Sequence, residues 1–123
     1  MLAYVDASVV LVDILEDRPV LPELVHRAEV ATSQITSLEI SRTLRRDLKD
    51  SDLAPSPSEL LTGIDLLSLS SVVLDAAASL PVRLLRSLDA IHLASALLLR
   101  ADIVLTHDRQ MQRACEELGL PVA

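Results

Sequence analysis

Aromatic side chains are nearly missing from this sequence: of 123 residues only Tyr4 is aromatic, and there is no Phe and no Trp. That counts against sheet platforms that stack nucleic-acid bases on exposed rings. Glycine is almost as scarce. Gly63 and Gly119 are the two in the chain, so neither a GxGxxG dinucleotide fingerprint nor a GxxxxGK[ST] phosphate loop is present. Cys115 stands alone, which rules out a disulfide framework within the chain, and without a CxxC or Cys/His cluster zinc is not indicated. Lys49 is the one lysine. It sits mid-chain, away from the last strand, where a phosphoacceptor receiver domain needs a lysine to meet the phosphoryl group. Basic charge is in deficit, with 11 Lys and Arg against 18 Asp and Glu, a net charge of −7. Tight nucleic-acid binding by broad charge attraction is disfavoured, while an enzyme that gathers cations at a small acidic site is not. No basic segment precedes the first apolar run, and Asp6 and Asp13 interrupt it, so no signal peptide is read. The longest apolar stretch, Leu93 to Leu99 with Ser95 inside it, is far too short to span a bilayer. The expectation is a soluble, cytoplasmic protein.

What the chain does have is aliphatic bulk. Half of it is apolar, mostly Leu, Val, Ala and Ile, enough for the core of one domain over residues 1–123. Short apolar runs read as strands at Leu2–Val5, Val30–Ile35, Leu66–Leu69 and Ile103–Leu105, with Pro121–Ala123 as a fifth candidate. Helical patterns lie between them, at Val9–Glu16, Leu21–Glu29, Ser37–Asp50, Pro57–Gly63, Ser71–Leu80, Leu88–Arg100 and Arg109–Leu118. Ser56 with Pro57 reads as a helix start and Gly119 as a helix stop. The segment SDLAPSPS, Ser51 to Ser58, reads as a loop. Short buried strands alternating with helices predict an α/β fold: a three-layer α/β/α sandwich around a central parallel sheet of four or five strands. Ligands in such sheets sit beyond the carboxyl ends of the strands.

Four acids fall at or near those ends. Asp6 follows strand one. Glu39 begins the helix after strand two, Asp89 begins the helix before strand four, and Asp108 lies just past strand four. Each also has a local explanation. Thr36-Ser-Leu-Glu39 fits a capping box, Asp6 and Asp108 fit helix caps, and Asp89 suits the positive end of its helix. Taken together, three or four carboxylates facing one crevice repel one another, and a hard divalent cation reverses that cost. Such a site suits metal-assisted phosphodiester hydrolysis. Ser8 and Thr106, two positions from Asp6 and Asp108, could orient the carboxylates; equally, Ser8 could cap the first helix and Thr106 merely end a strand.

The words YVDASVVL, TSLEISRTL, LDAIHLASALLL and VLTHDRQM, in this order, resemble the PIN-domain family, and most closely the VapC-type toxins of bacterial toxin–antitoxin pairs. The resemblance covers essentially the whole chain. It implies a metal-dependent endoribonuclease with a parallel sheet, with Asp6, Glu39, Asp89 and Asp108 as its catalytic acids, Asp6, Asp89 and Asp108 as metal ligands, and Ser8 and Thr106 as accompanying hydroxyls. It further implies Mg2+, with Mn2+ as a substitute, an RNA substrate, an antitoxin partner and a homodimer. A non-catalytic PIN-like module that binds an antitoxin or a sibling subunit fits the same composition.

Other polar residues are ambiguous from sequence. Arg42, Arg45, Arg46 and Lys49 recur at helical steps and could steer RNA phosphates, or simply form a solvated face with Asp47 and Asp50. Arg83 and Arg86, just before Asp89, could touch a substrate backbone or be plain surface charge. His92, one turn after Asp89, reads as structural, although a proton relay fits its place. His107 should face solvent, His26 has no context, and Cys115 reads as packing.

Overall fold

Four short strands form one sheet in a computed structural model that describes residues 1–16, 20–47 and 56–123. They are β1 (Leu2–Val5), β2 (Glu29–Ser33), β3 (Asp65–Leu67) and β4 (Ile103–Leu105). Among the described residues the helices are α1 (Ala7–Leu15), α2 (Leu21–Arg27), α3 (Gln34–Asp47), α4 (Pro57–Leu60), α5 (Ser71–Ala78), α6 (Ser87–Leu98) and α7 (Arg109–Glu117). Lys49, Asp50 and most of the expected loop at 51–58 lie outside the described residues.

All strand pairs are parallel, in the order β3-β2-β1-β4. Tyr4 sits opposite Ala31 on one side and Val104 on the other, so β1 is a fully paired central strand. Its alternation divides the core. Val5 packs with Val9, Val10, Leu21, Val30, Ile40 and Leu44 under α1, α2 and α3. Tyr4 packs with Leu93, Ala96, Val104, Met111 and Cys115 under α6 and α7. Successive strand residues point to opposite faces, and helices cover both, which is the three-layer arrangement expected. The fifth strand candidate is reduced to a bridge. Val122 pairs in parallel with Val104, and backbone bonds from Val104 to Pro121 and between Thr106 and Ala123 cover the outer edge of β4.

The boundary between β2 and α3 moved. β2 ends at Ser33 rather than Ile35, and α3 starts at Gln34 rather than Ser37. The cause is Ser33, whose Oγ accepts from the Ile35 amide at 3.1 Å and so opens the helix inside what read as a continuous apolar run. β3 lies one to two residues earlier than expected. Gly63, just before it, has φ +80°, and a Cβ there would come within 2.8 Å of Val25 Cγ1. Both its backbone conformation and its space demand glycine.

The chain adds β2 and β3 to one side of β1, then returns through α6 to place β4 on the other. The change of direction falls between β1 and β4, and the crevice beyond their carboxyl ends is where an open α/β sheet takes ligands. Among the described residues no helix is long and apolar enough to cross a membrane.

Candidate active site

Asp6 leaves β1 at that crevice and caps α1, its Oδ1 accepting from the Ser8 amide at 3.1 Å and from the Ser8 hydroxyl at 2.5 Å. Its other oxygen, Oδ2, accepts from the Thr106 hydroxyl. Asp6 is only 4% exposed, so these donors replace the water it has lost. Ser8 does not cap α1, since Asp6 does. Instead the Ser8 Oγ accepts from the His107 amide at 2.9 Å, while Thr106 Oγ1 accepts from the Asp108 amide at 3.0 Å. Two hydroxyls thereby tie the end of β1 to the end of β4. Asp108 caps α7 through the Met111 amide at 3.0 Å. The cap readings of Asp6 and Asp108 are therefore correct as local structure, and the Thr106 hydroxyl joins the Asp6 carboxylate to the Asp108 amide.

Glu39 does not form the capping box. Thr36 lies inside α3, fully buried, with its hydroxyl on Thr32 Oγ1 at 2.7 Å. Glu39 instead reaches across to α6, where its Oε1 lies 2.5 Å from His92 Nε2. His92 is buried, and its Nδ1 lies 2.7 Å from the Tyr4 hydroxyl. Burial raises the Tyr4 phenol above its ordinary range. This Tyr4–His92–Glu39 chain was not read from the sequence. The available signal was the single aromatic residue on the central strand and a histidine one turn beyond Asp89.

Asp89 differs from the other three. It stands in the first turn of α6 and has no hydrogen-bond donor among the described residues. Partial burial raises its carboxyl above the usual 3.8, the charge of Asp108 pushes the same way, and His92 opposes them when its ring is protonated. Asp6 and Glu39 raise it further. The negative charges of Asp108, Asp6 and Glu39 thus add, after burial, to the upward push on Asp89. Among the described residues, none of the four has an arginine or lysine partner within ion-pair distance. Nor is any trio of His, Cys, Asp or Glu already gathered as a metal cage. The donor set is one of hard oxygens, suited to Mg2+ or Mn2+, and Mg2+ takes few protein ligands and keeps several waters. The residues therefore fit such an ion in chemistry and in charge.

The basic candidates lie apart from this network. Arg42, Arg45 and Arg86 are exposed, and Arg46 pairs with its neighbour Asp47 at 2.9 Å. His107 faces solvent. Cys115, on α7, is buried, and burial lifts its thiol to about 11, which makes it packing.

A family model described as the PIN domain matches residues 3–117. The chain belongs to the PIN-domain family. This PIN domain is 33% identical over 116 residues to Ribonuclease VapC35 of Mycobacterium tuberculosis, a match that spans 91% of this chain and 79% of the relative. It is also 33% identical over 101 residues to Ribonuclease VapC47 of the same organism, spanning 77% and 71%. The solved structure of VapBC2 from Rickettsia felis bound to a DNA fragment from their promoter superposes with a TM-score of 0.73 at 13% identity, covering 100% of this chain and 98% of that one. A toxin–antitoxin complex from Klebsiella pneumoniae gives 0.64 at 21% identity, covering 86% of each. These two likenesses bear on the fold.

Proposed function

We propose that this PIN domain is the ribonuclease toxin of a toxin–antitoxin pair, hydrolysing RNA phosphodiester bonds with Mg2+, or Mn2+ in its place, at Asp6, Glu39, Asp89 and Asp108. The observation that carries the reading is the pair of hydroxyls, Ser8 and Thr106, that tie Asp6 at the end of β1 to the backbone of His107 and Asp108 at the end of β4, with Asp89 nearby, its carboxyl raised first by burial and then by the charges of Asp108, Asp6 and Glu39. Such an arrangement opposes folding unless a cation joins it. The names of the relatives, ribonucleases of the VapC type, point to the same chemistry.

Asp6, Asp89 and Asp108 would hold the ion. When bound, a divalent cation lowers the pKa of water and offsets charge on the scissile phosphate. The chain's own contribution is orientation. Ser8 and Thr106 fix both oxygens of Asp6, and the Thr106 hydroxyl, bonded also to the Asp108 amide, sets the spacing of the two acids. Glu39, held from one side by His92, is placed to accept a proton or to orient a nucleophilic water. Exposed Arg42, Arg45, Arg46 and Arg86 are available to phosphates of a longer RNA. An antitoxin protein is the natural partner, a homodimer the assembly, and the cytoplasm, where RNA is met, the location.

Purified, partner-free protein given RNA and Mg2+ or Mn2+, with products mapped by end sequencing, tests this. Cleavage that needs the metal and is absent in Asp6→Asn supports the nuclease. A protein that binds an antitoxin or itself but never cleaves RNA would be the non-catalytic module instead.

A further inference from the structure

The buried Tyr4–His92 pair is a polar feature that plain packing does not require. Tyr4 is the largest fully buried side chain, and His92 is 2% exposed. Both rings belong to the core between β1 and α6, meeting edge to face with centroids 5.9 Å apart. Two aliphatic residues would fill that space without polar atoms to satisfy. Yet every polar atom here is used, and no buried side-chain nitrogen or oxygen among the described residues lacks a partner. The chain of bonds also has a direction. A carboxylate only accepts, so Nε2 of His92 must carry the proton that bridges to Glu39 Oε1. In the neutral ring Nδ1 is then the acceptor, and the Tyr4 hydroxyl, buried away from water, donates to it. In that neutral form the core tyrosine fixes the tautomer with which the histidine grips the acid.

Glu39 needs gripping. It is a long side chain, 24% exposed, in a field it shares with Asp89. Repulsion would swing it toward solvent. His92 holds Oε1, while Oε2 has no hydrogen-bond partner among the described residues. One oxygen is anchored to the core, 53 residues away in sequence, and the other is left for chemistry.

We propose that His92, seated on the buried Tyr4 hydroxyl, is a positioning residue that fixes the direction of the Glu39 carboxylate for RNA cleavage. The inference rests on the nuclease reading above, and its test separates the two. His92→Leu, checked by circular dichroism and a cooperative melt, is expected to lower kcat about 10- to 100-fold with the KM for RNA nearly unchanged. His92→Gln, whose amide nitrogen reaches the Nε2 position, recovers most of that loss, as simple filling of the core would not. In a Glu39→Asp background, whose shorter arm cannot reach the ring, His92→Leu costs little more. Independently of activity, nitrogen-15 NMR of the metal-free native protein should find His92 protonated at Nε2 with Nδ1 as acceptor. The Nδ1 resonance should shift in Tyr4→Phe, and the Nε2 resonance in Glu39→Asp. A folded His92→Leu with native kcat overturns the proposal, as do equal losses in the Leu and Gln variants, an undiminished loss in the Glu39→Asp background, or an Nδ1–H ring. If the native protein cleaves no RNA, the nuclease reading fails, and the NMR result alone then decides whether His92 grips Glu39.

Discussion

The two halves of the acidic crevice handle negative charge in opposite ways. On the β1–β4 side, Asp6 is almost fully buried and both its oxygens are filled by donors from Ser8 and Thr106. On the α6 side, Asp89 is less buried, has no donor among the described residues, and is raised by the other acids. The protein settles the desolvation of Asp6 internally; on the nuclease reading, that of Asp89 would fall to a bound cation. On that reading the first carboxylate would fix position, and the second would supply the attraction.

The largest effects should come from neutralising either half. Asp6→Asn and Asp89→Asn should each lower metal-dependent RNA cleavage about 100- to 1000-fold, the scale of losing one strong electrostatic contact to a transition state. Their stabilities should diverge. Asn caps helices as well as Asp, yet at position 6 its amide nitrogen meets one of two hydroxyl donors, so Asp6→Asn should melt lower. Asp89→Asn should melt higher without metal and gain less from added Mg2+, as ligand linkage requires. If both variants melted alike, the contrast between the halves would be gone.

Thr106→Val comes next. It keeps the shape of the side chain but removes the donor to Asp6 and the acceptor for the Asp108 amide. Leaving a buried carboxylate short of a donor should cost about 1–3 kcal/mol in urea unfolding. Cleavage should fall about 10- to 100-fold, the range for losing a group that orients a ligand. A loss of activity with no loss of stability would mean that Asp6 is held by other means.

Much of the β1–β4 half could be read from the sequence because each strand runs directly into its acid. Val5 is followed by Asp6, and Leu105 is three residues from Asp108, so local pattern and spatial placement coincide. The Glu39 half was less legible. The words Thr36-Ser-Leu-Glu39 satisfy a capping box, but the helix had already begun at Gln34 under Ser33, in a stretch whose apolar residues read as strand. Glu39 then found its partner on α6, a contact that no local pattern encodes. For Ser8 the sequence left two roles open, and the structure takes the orienting one: Asp6, two residues earlier, already caps α1 and frees the hydroxyl to bond Asp6 and bridge to β4.

A subtler difference between the halves should appear in pH dependence. An acid whose folded-state pKa lies above its unfolded value binds more protons when native. Stability then falls as pH rises from about 3.8 toward the raised value. Asp89 should therefore weaken the metal-free protein increasingly over that interval, and Asp89→Asn should remove its share. Melts of native and variant should agree below the lower limit and separate at neutral pH, with the variant higher. Saturating Mg2+ should reverse the order at neutral pH. Identical melting curves across the range would show that Asp89 is not under strain.

The smallest effect expected is at the exposed arginines, which belong to neither half. The net charge of −7 works against RNA, so any local positive charge has to act at short range. Arg46 is already engaged by Asp47, whereas Arg42 and Arg45 are exposed on the same helix, three residues apart. Arg42→Ala with Arg45→Ala should leave stability within about 0.5 kcal/mol, as is usual for surface changes. It should raise KM for RNA less than about ten-fold at low salt and leave it unchanged at high salt, where counterions already screen phosphate contacts. A KM unaffected at every ionic strength would reduce these side chains to a solvated face. A loss of kcat at constant KM would instead join them to the crevice, and the division between a steering surface and an acidic centre would have to be redrawn.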